Sequence, residues 1–291
     1  MPYTSISGKV QNNTVEYALQ LKDLKDKERY FIAGTMNAAN GNSEINLDSE
    51  KLMLNYESWN ISPENLIRFG KKGIYASDFE LKEEENSIKI QSQSEKPNAP
   101  IVVDFKNFEI ETITSMVEKS DLKMSGKING TALLKNVDKN LLFTSDLLIE
   151  DFTFKKDTVG TIAVQVNNEI ANQYDAHITL TGQENQVNLN GVYRSNDSSF
   201  DIKLLIDRLN MKSIQGFSMN HLTESTGFFT GNFTLTGTTK QPELIGTLKF
   251  NDISFKATEL NARFQSMNDS IAFTTNAVLL DNFIIKDEKG N

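Results

Sequence analysis

The sequence predicts a mainly β protein, a long curled antiparallel-type sheet forming an open, taco-like groove, repeat-like along its length and carrying a few short helices. Three observations predict it. Apolar residues recur at every second position, most plainly at Phe229, Gly231, Phe233 and Leu235, with Thr230, Asn232 and Thr234 between them. That is the period of a strand with one oily face and one wet face. Hydrophobic residues are only 38% of the chain although Phe occurs 18 times, a composition that suits sheets wet on one side better than a sandwich buried on both. Finally, the chain repeats its own pattern at a spacing of 101 residues.

The stretch from Thr226 to Phe255 organises the rest. After the glycine-spaced strand ending at Gly237, the alternation resumes as Leu244, Gly246, Leu248 and Phe250, with Thr236 to Glu243 read as the hairpin loop. Pro242 lacks an N–H and belongs in that loop or at the first ladder position. One repeat earlier, Gly126-Lys127-Ile128-Asn129-Gly130-Thr131-Ala132-Leu133-Leu134 lies without gaps over Gly227 to Leu235, both glycines aligned. At the same offset Leu147, Ile149, Asp151, Phe152 and Phe154 fall on Leu248, Phe250, Asp252, Ile253 and Phe255. Ile110, Ile113 and Met116 fall on Met211, Ile214 and Phe217, and Ile170-Ala171 on Ile271-Ala272. Identities are few, so the common offset carries the repeat. In both copies the apolar phase slips after the second strand, Ile149 being followed by Phe152 and Phe250 by Ile253. A turn or bulge at Glu150-Asp151 and Asn251-Asp252 is expected, because an uncorrected slip sends every later side chain to the wrong face. The chain is read as one continuous β-groove over residues 1–291, with approximate repeat units 1–92, 93–193 and 194–291.

In chain order, Ile6 to Val10 and Thr14 to Leu21 are strands, separated by a charged turn from Tyr30 to Met36 and Glu44 to Tyr56. The segment from Trp59 to Phe69 reads either as a helical turn, with Ser62 as cap and Pro63 in the first position, or as a tight connection between strands. Gly73 to Leu81 and Ser87 to Ser92 flank a solvated hairpin tip at Lys82 to Glu85, and Ser94 to Pro100 is an inter-strand loop. Val102 to Phe108 is a strand. Ile110, Ile113 and Val117 then take helical spacing, as do Met211, Ile214 and Phe217, so one short helix per repeat is expected ahead of each glycine pair, placed to plug a sheet end. Ile162 to Val166, Tyr174 to Leu180, Gln186 to Tyr193, Phe200 to Ile206, Ala257 to Phe264, Ser270 to Thr274 and Asn276 to Ile285 complete the strands. The chain stops at Asp287-Glu288-Lys289-Gly290-Asn291, a turn with no closing strand, as expected of a segment within a longer protein.

Bulk properties exclude several functions. A net charge of −9 with no basic run argues against nucleic acid. Cys is absent, so there is no disulfide framework and no thiolate site. No apolar run approaches the ~18 residues of a spanning helix, and Met1-Pro2-Tyr3-Thr4 does not open a signal peptide. The two histidines, His177 and His221, lack metal-ligand spacing and read as surface or rim residues. No nucleophile elbow, phosphate loop or dinucleotide fingerprint occurs. Asp146, Glu150 and Asp151 form the one acid cluster that glycoside chemistry would use. Their counterparts are Thr247, Asn251 and Asp252, so only the turn aspartate recurs and turn chemistry explains it better. The reading is of a non-enzyme without metal or cofactor.

The order Gly227-x-Phe229-x-Gly231-x-Phe233-x-Leu235-x-Gly237, a polar loop, Gln241-Pro242-Glu243-Leu244-x-Gly246-x-Leu248-x-Phe250, and a terminal Asp287-x-x-Gly290-Asn291 resembles the C-terminal region of the TamB family. This is the AsmA-like inner-membrane component of the translocation and assembly module in bacteria with two membranes. The Gly126 copy and the Trp59 segment fit the same family, so the resemblance covers most of the chain. It implies a periplasmic, membrane-associated protein, anchored in the inner membrane through a segment outside this chain, with a long sheet and a greasy inner wall. It further implies a role in outer-membrane biogenesis: lipid transport, β-barrel assembly and protein secretion, together with an outer-membrane barrel partner. The anchor and the segment that would meet that partner are expected to lie outside this chain.

A single sheet with one apolar face must cover that face, and helices are too few to do so. The expected groove residues are Ile45, Leu47, Leu52, Leu54, Ile128, Leu134, Leu147, Ile149, Phe229, Phe233, Leu235, Leu244, Leu248 and Phe250. Phospholipid acyl chains are the expected occupants, since each buried CH₂ contributes about 0.8 kcal/mol and a similar wall at each repeat permits sliding. Two alternatives stand beside this: free strand edges that pair with nascent barrel strands, and a purely structural β-solenoid packed solid inside.

Overall fold

The computed structural model describes residues 3–39, 41–71, 73–115, 123–137, 141–266, 269–280, 283–288 and 290. Strands hold 68% of the residues and helices 4%, in two large antiparallel sheets, neither closed into a barrel. With so little helix, any extended sheet face can be covered only by another sheet.

The strands are β1 (Tyr3–Gln11), β2 (Thr14–Lys22), β3 (Glu28–Ala39), β4 (Asn42–Leu47), β5 (Met53–Leu54), β6 (Glu57–Ser58), β7 (Leu66–Gly70), β8 (Tyr75–Ser77), β9 (Phe79–Glu83), β10 (Asn86–Ser92) and β11 (Ile101–Glu109). After the short helix α1 (Glu111–Thr114) come β12 (Met124–Lys135), β13 (Leu142–Phe154), β14 (Asp157–Asn167), β15 (Gln173–Gly182), β16 (Asn185–Arg194) and β17 (Ser199–Asn210). Helix α2 (Met211–Ile214) runs into a 3-10 turn at Gln215–Ser218. Then follow β18 (Leu222–Thr238), β19 (Pro242–Ala257), β20 (Ala262–Ser266), β21 (Ser270–Phe273), β22 (Val278–Leu280) and β23 (Lys286–Asp287). One sheet runs β1-β2-β3-β4-β7-β8 with β5 and β6 hooked on at β3; the other runs in sequence order from β9 to β19 and on through β21 to β22. Nearly every ladder joins sequence neighbours, which is the topology that short polar turns between alternating strands produce.

The chain divides into two compact units, Met1–Ser120 with Lys127–Leu147, and Asp121–Gly126 with Leu148–Asn291. In the first, one buried cluster gathers Tyr30, Leu52, Leu54, Trp59, Ile61, Phe79 and Phe108. Leu47, Ile67, Leu81, Ile90, Phe105 and Ile128 pack against it, so both sheets contribute to a closed core. Trp59 and Phe108 meet at 5.8 Å. Tyr30 is wholly buried and its hydroxyl donates to the Thr112 carbonyl at 3.2 Å, tying α1 to this core. Burial raises the Tyr30 phenol above its ordinary pKa, with the Ser115 hydroxyl opposing. The Trp59 segment is the tight connection rather than a helix. Asn65 N donates to the Ser62 carbonyl, and the buried Asn65 side chain both accepts from Leu47 N and donates to Leu47 O, at 2.8 Å each. One amide thus stands in for a strand partner where the ladder stops.

The repeat survives as structure. β11, α1, β12 and β13 reappear as β17, α2, β18 and β19, and the irregularities reappear with them. β11 bulges between Phe105 and Phe108 opposite Gly130 and Ile128; β17 bulges between Ile206 and Leu209 opposite Gly231 and Phe229. Asp151 and Asp252 both take left-handed φ, 51° and 49°, inside β13 and β19, where the phase slip required a correction. A methyl on Gly130 would lie 2.1 Å from Asp146 O, and one on Gly231 2.4 Å from Thr247 O. The glycines recur because the neighbouring strand leaves no room for a side chain.

Several sequence expectations need correcting. Glu44 to Tyr56 is not one strand: β4 ends at Leu47 and β5 is two residues long. Gly73 to Leu81 is split at Asp78, whose φ of 52° sends β8 to one sheet and β9 to the other. The hairpin loop after Gly237 is shorter than expected, with Gly237 already paired to Pro242 at the first ladder position. Ala257 to Phe264 spans a turn rather than a strand, and among the described residues of Asn276 to Ile285 only β22 is strand. Ile170-Ala171 lies in a turn whereas Ile271-Ala272 lies in β21, so that match is not structural. Met116 and Val117 fall outside the described residues, as do Lys289 and Asn291.

Candidate functional site

The second unit carries one sheet whose two faces differ in character. On one face, ladder partners form apolar rows. Val164, Ile178, Leu189, Leu204, Phe233, Gly246, Phe273 and Val278 are successive partners from β14 to β22. The next row reads Ile162, Leu180, Val187, Ile206, Gly231, Leu248, Ile271 and Leu280. On the other face most partners are polar, Thr179 with Asn188, His177 with Asn190, Lys203 with Thr234 and Asn232 with Thr247, although Leu205 and Ile245 stand exposed among them. The period-two alternation thus sorts side chains as expected.

The apolar rows are half-buried rather than buried through most of their length; Ile206 is buried, and Val278 and Leu280 are exposed. Among the described residues of this unit there is no second sheet to lie over them. Seven inter-strand steps of about 4.8 Å make such a row about 33 Å long. Hydrocarbon two leaflets deep is about 30 Å thick, so one lipid tail of about 15 Å fits along it.

One end of the face is plugged. Helix α2 and the 3-10 turn meet β14, β17 and β18, and Met211, Phe229 and Ile253 form a buried cluster with Leu209, Ile214, Leu222, Leu248, Phe250 and Phe255 packed against it. Phe217 stacks on Phe154 at 4.1 Å between centroids. Polar clamps fix the plug: Asn185, buried, donates to Val159 O at 2.7 Å and Ser213 Oγ at 2.9 Å, and accepts from Asn210 N. Gln215 Nε2 donates to Asp157 at 2.7 Å.

The fourteen expected groove residues separate into groups. Phe233, Leu235, Leu244 and Leu248 stand together in the open rows of the second unit. Phe229 is buried beneath α2, and Phe250 packs beside it at 5.0 Å. Ile149 lies against Gly126. In the first unit, Leu52 and Leu54 are in the closed core, and Leu47 and Ile128 pack on it. Ile45 pairs with Met36 and Ile67, Leu134 pairs with Ile101, and Leu147 sits against Gly130. Leu52 and Leu54 are therefore occupied by protein. Leu52→Ala should cost about 3 kcal/mol in urea unfolding, whereas Leu189→Ala on the open face should cost about 1 kcal/mol or less.

The residues that the glycine repeat did not single out form the middle of the face: Ile178 and Leu180 on β15, Val187 and Leu189 on β16, Ile202 and Leu204 on β17. Their signal was present, since each pair alternates with polar neighbours and Ile202 and Leu204 fall on Ile101 and Val103 one repeat earlier, but none lies in the glycine-spaced stretch. No cluster of three or more metal-ligating side chains occurs among the described residues, and no described helix is long and apolar enough to cross a membrane. Comparison with family models, curated proteins and solved structures finds no match to this chain.

Proposed function

We propose that this chain is a non-catalytic periplasmic segment of a TamB-like translocation and assembly module protein. Its apolar sheet face carries phospholipid acyl chains toward the outer membrane, in support of β-barrel assembly there. The observation that carries the reading is the set of apolar rows in the second unit, left half-exposed and stoppered at one end by α2. An apolar face of this extent on a soluble sheet is otherwise an aggregation hazard. A tail laid along it loses water at about 0.8 kcal/mol per CH₂, so ten buried methylenes contribute on the order of 8 kcal/mol. Organic extraction of the purified chain followed by mass spectrometry should yield about one phospholipid per protein. A lipid-free protein that also fails to take up tails from vesicles would end the proposal.

A second reading has its own observation. Among the described residues edge strand β1 pairs only with β2, and Ile6 and Val10 on it are 80% and 75% exposed. Such an edge is a template for strand addition. If it serves nascent barrel proteins, a photo-crosslinker at Ser5 or Ser7 should capture an unfolded barrel protein while one at Leu204 does not. The reverse pattern would discard the edge as the contact.

A further inference from the structure

On this acidic chain the second unit gathers three lysines at one place. Lys155 and Lys156 form the turn between β13 and β14, with Lys155 at a left-handed φ of 60°. The Lys155 N–H donates to the Lys123 carbonyl, which draws the segment ahead of β12 against that turn. The three border a recess of about 370 Å³, together with Asp157, Gln215 and Leu222. Asp157, which accepts from Gln215 at 2.7 Å, brings one carboxylate to the recess against three ammoniums, and none of the three lysines forms an ion pair with a carboxylate among the described residues.

The repeat shows what belongs there. One repeat later, Lys155 becomes Lys256 and Lys123 becomes Glu224. In that copy Lys256 and Glu224 form an ion pair at 3.9 Å, and Glu224 also binds Arg263. The first copy therefore keeps the cation and replaces its acid with a second cation. Like charges held side by side by the backbone repel unless an anion stands between them. We propose that Lys123, Lys155 and Lys156 bind a phosphate group, the missing negative charge at this position. Its several acceptor oxygens can take an N–H from each ammonium, and lysine serves it as a mobile point charge. Free phosphate and a phospholipid headgroup share this chemistry. Leu222 borders the recess and packs on the buried cluster under α2, so a headgroup here would sit beside the plugged end of the apolar face. That source rests on the groove reading; the phosphate site does not.

Thermal unfolding of the full chain separates the cases. At ten times its Kd, inorganic phosphate should raise the midpoint by about 3 °C over chloride of equal ionic strength. Dihexanoyl phosphatidylglycerol below its micelle concentration tests the headgroup. A shift with phosphate alone identifies the free anion, with the lipid alone the headgroup, and with both the shared site. Lys123→Glu installs the acid of the other copy. It should raise the midpoint in chloride and abolish the phosphate shift, and Lys155→Gln with Lys156→Gln should abolish the shift without that gain. No shift with either ligand, or an unchanged shift in both variants, overturns the proposal. Leu204→Asp keeps the two readings apart, because it should leave the inorganic phosphate shift intact while removing bound tails.

Discussion

Leu204→Asp should strip bound phospholipid from the purified chain by about tenfold or more, because an unpaired carboxylate would have to lose its water against an acyl chain. Leu204 sits in the middle of an apolar row, between ladder partners Leu189 and Phe233, and is half-exposed without a ligand. The new carboxylate can therefore stay hydrated in the empty protein, and the fold should lose little. Leu248 is a poorer site for this test, since it packs against the buried Met211, Phe229 and Ile253 cluster. Phe233 is also compromised, because its ring meets Phe273 edge-on at 5.6 Å. Thr247→Asp puts the same charge on the polar face, opposite Asn232, and should leave the lipid content unchanged. The measurement is phospholipid per protein in an organic extract, with circular dichroism confirming the strand signal. Retention of lipid by Leu204→Asp, or equal loss in Thr247→Asp, would falsify the groove as the binding surface.

Gly227→Ala should lower the stability of the second unit by about 4 kcal/mol, a drop of about 10 °C in its unfolding midpoint. The residue holds φ at 81°, and an added methyl would stand 2.3 Å from Asp252 O and 2.6 Å from Asn251 O. Those carbonyls belong to the bulge that restores the facing of β19, so the clash cannot be relieved without undoing the register. Gly8→Ala is the matched control: its nearest neighbour is 3.8 Å away and its φ lies in the ordinary range. It should be neutral or slightly stabilising. If differential scanning calorimetry finds the two variants equally stable, the glycines are not what sets the bulge.

The fold was legible because its signal is local. Alternation at Phe229, Phe233 and Leu235 needs only neighbours in sequence to declare a strand, and the phase slips after Ile149 and Phe250 marked both left-handed aspartates. The offset of Ile110 and Ile113 onto Met211 and Ile214 located both short helices. What could not be read was which apolar face another layer covers. Leu52 and Leu54 alternate like Phe233 and Leu235, yet the first pair lies in a closed core and the second in an open row. That difference comes from the second sheet in the first unit, a long-range pairing that no period reports. The breaks at Asp78 and after Leu47 were missed for a similar reason. A single residue at positive φ, or one buried amide such as Asn65, redirects the chain without changing the apolar pattern around it.

The matched bulges also limit how such a chain can change length. The two matched copies each correct the facing at their own aspartate, Asp151 in β13 and Asp252 in β19, so the residues that follow in each strand keep their proper side. Adding or removing a whole hundred-residue module leaves every later side chain on its proper side, whereas one inserted residue between two bulges inverts all that follows up to the next. Relatives of this protein should therefore differ in size by entire modules, or by excursions confined to the hairpin tips, and scarcely at all by odd steps within the strands.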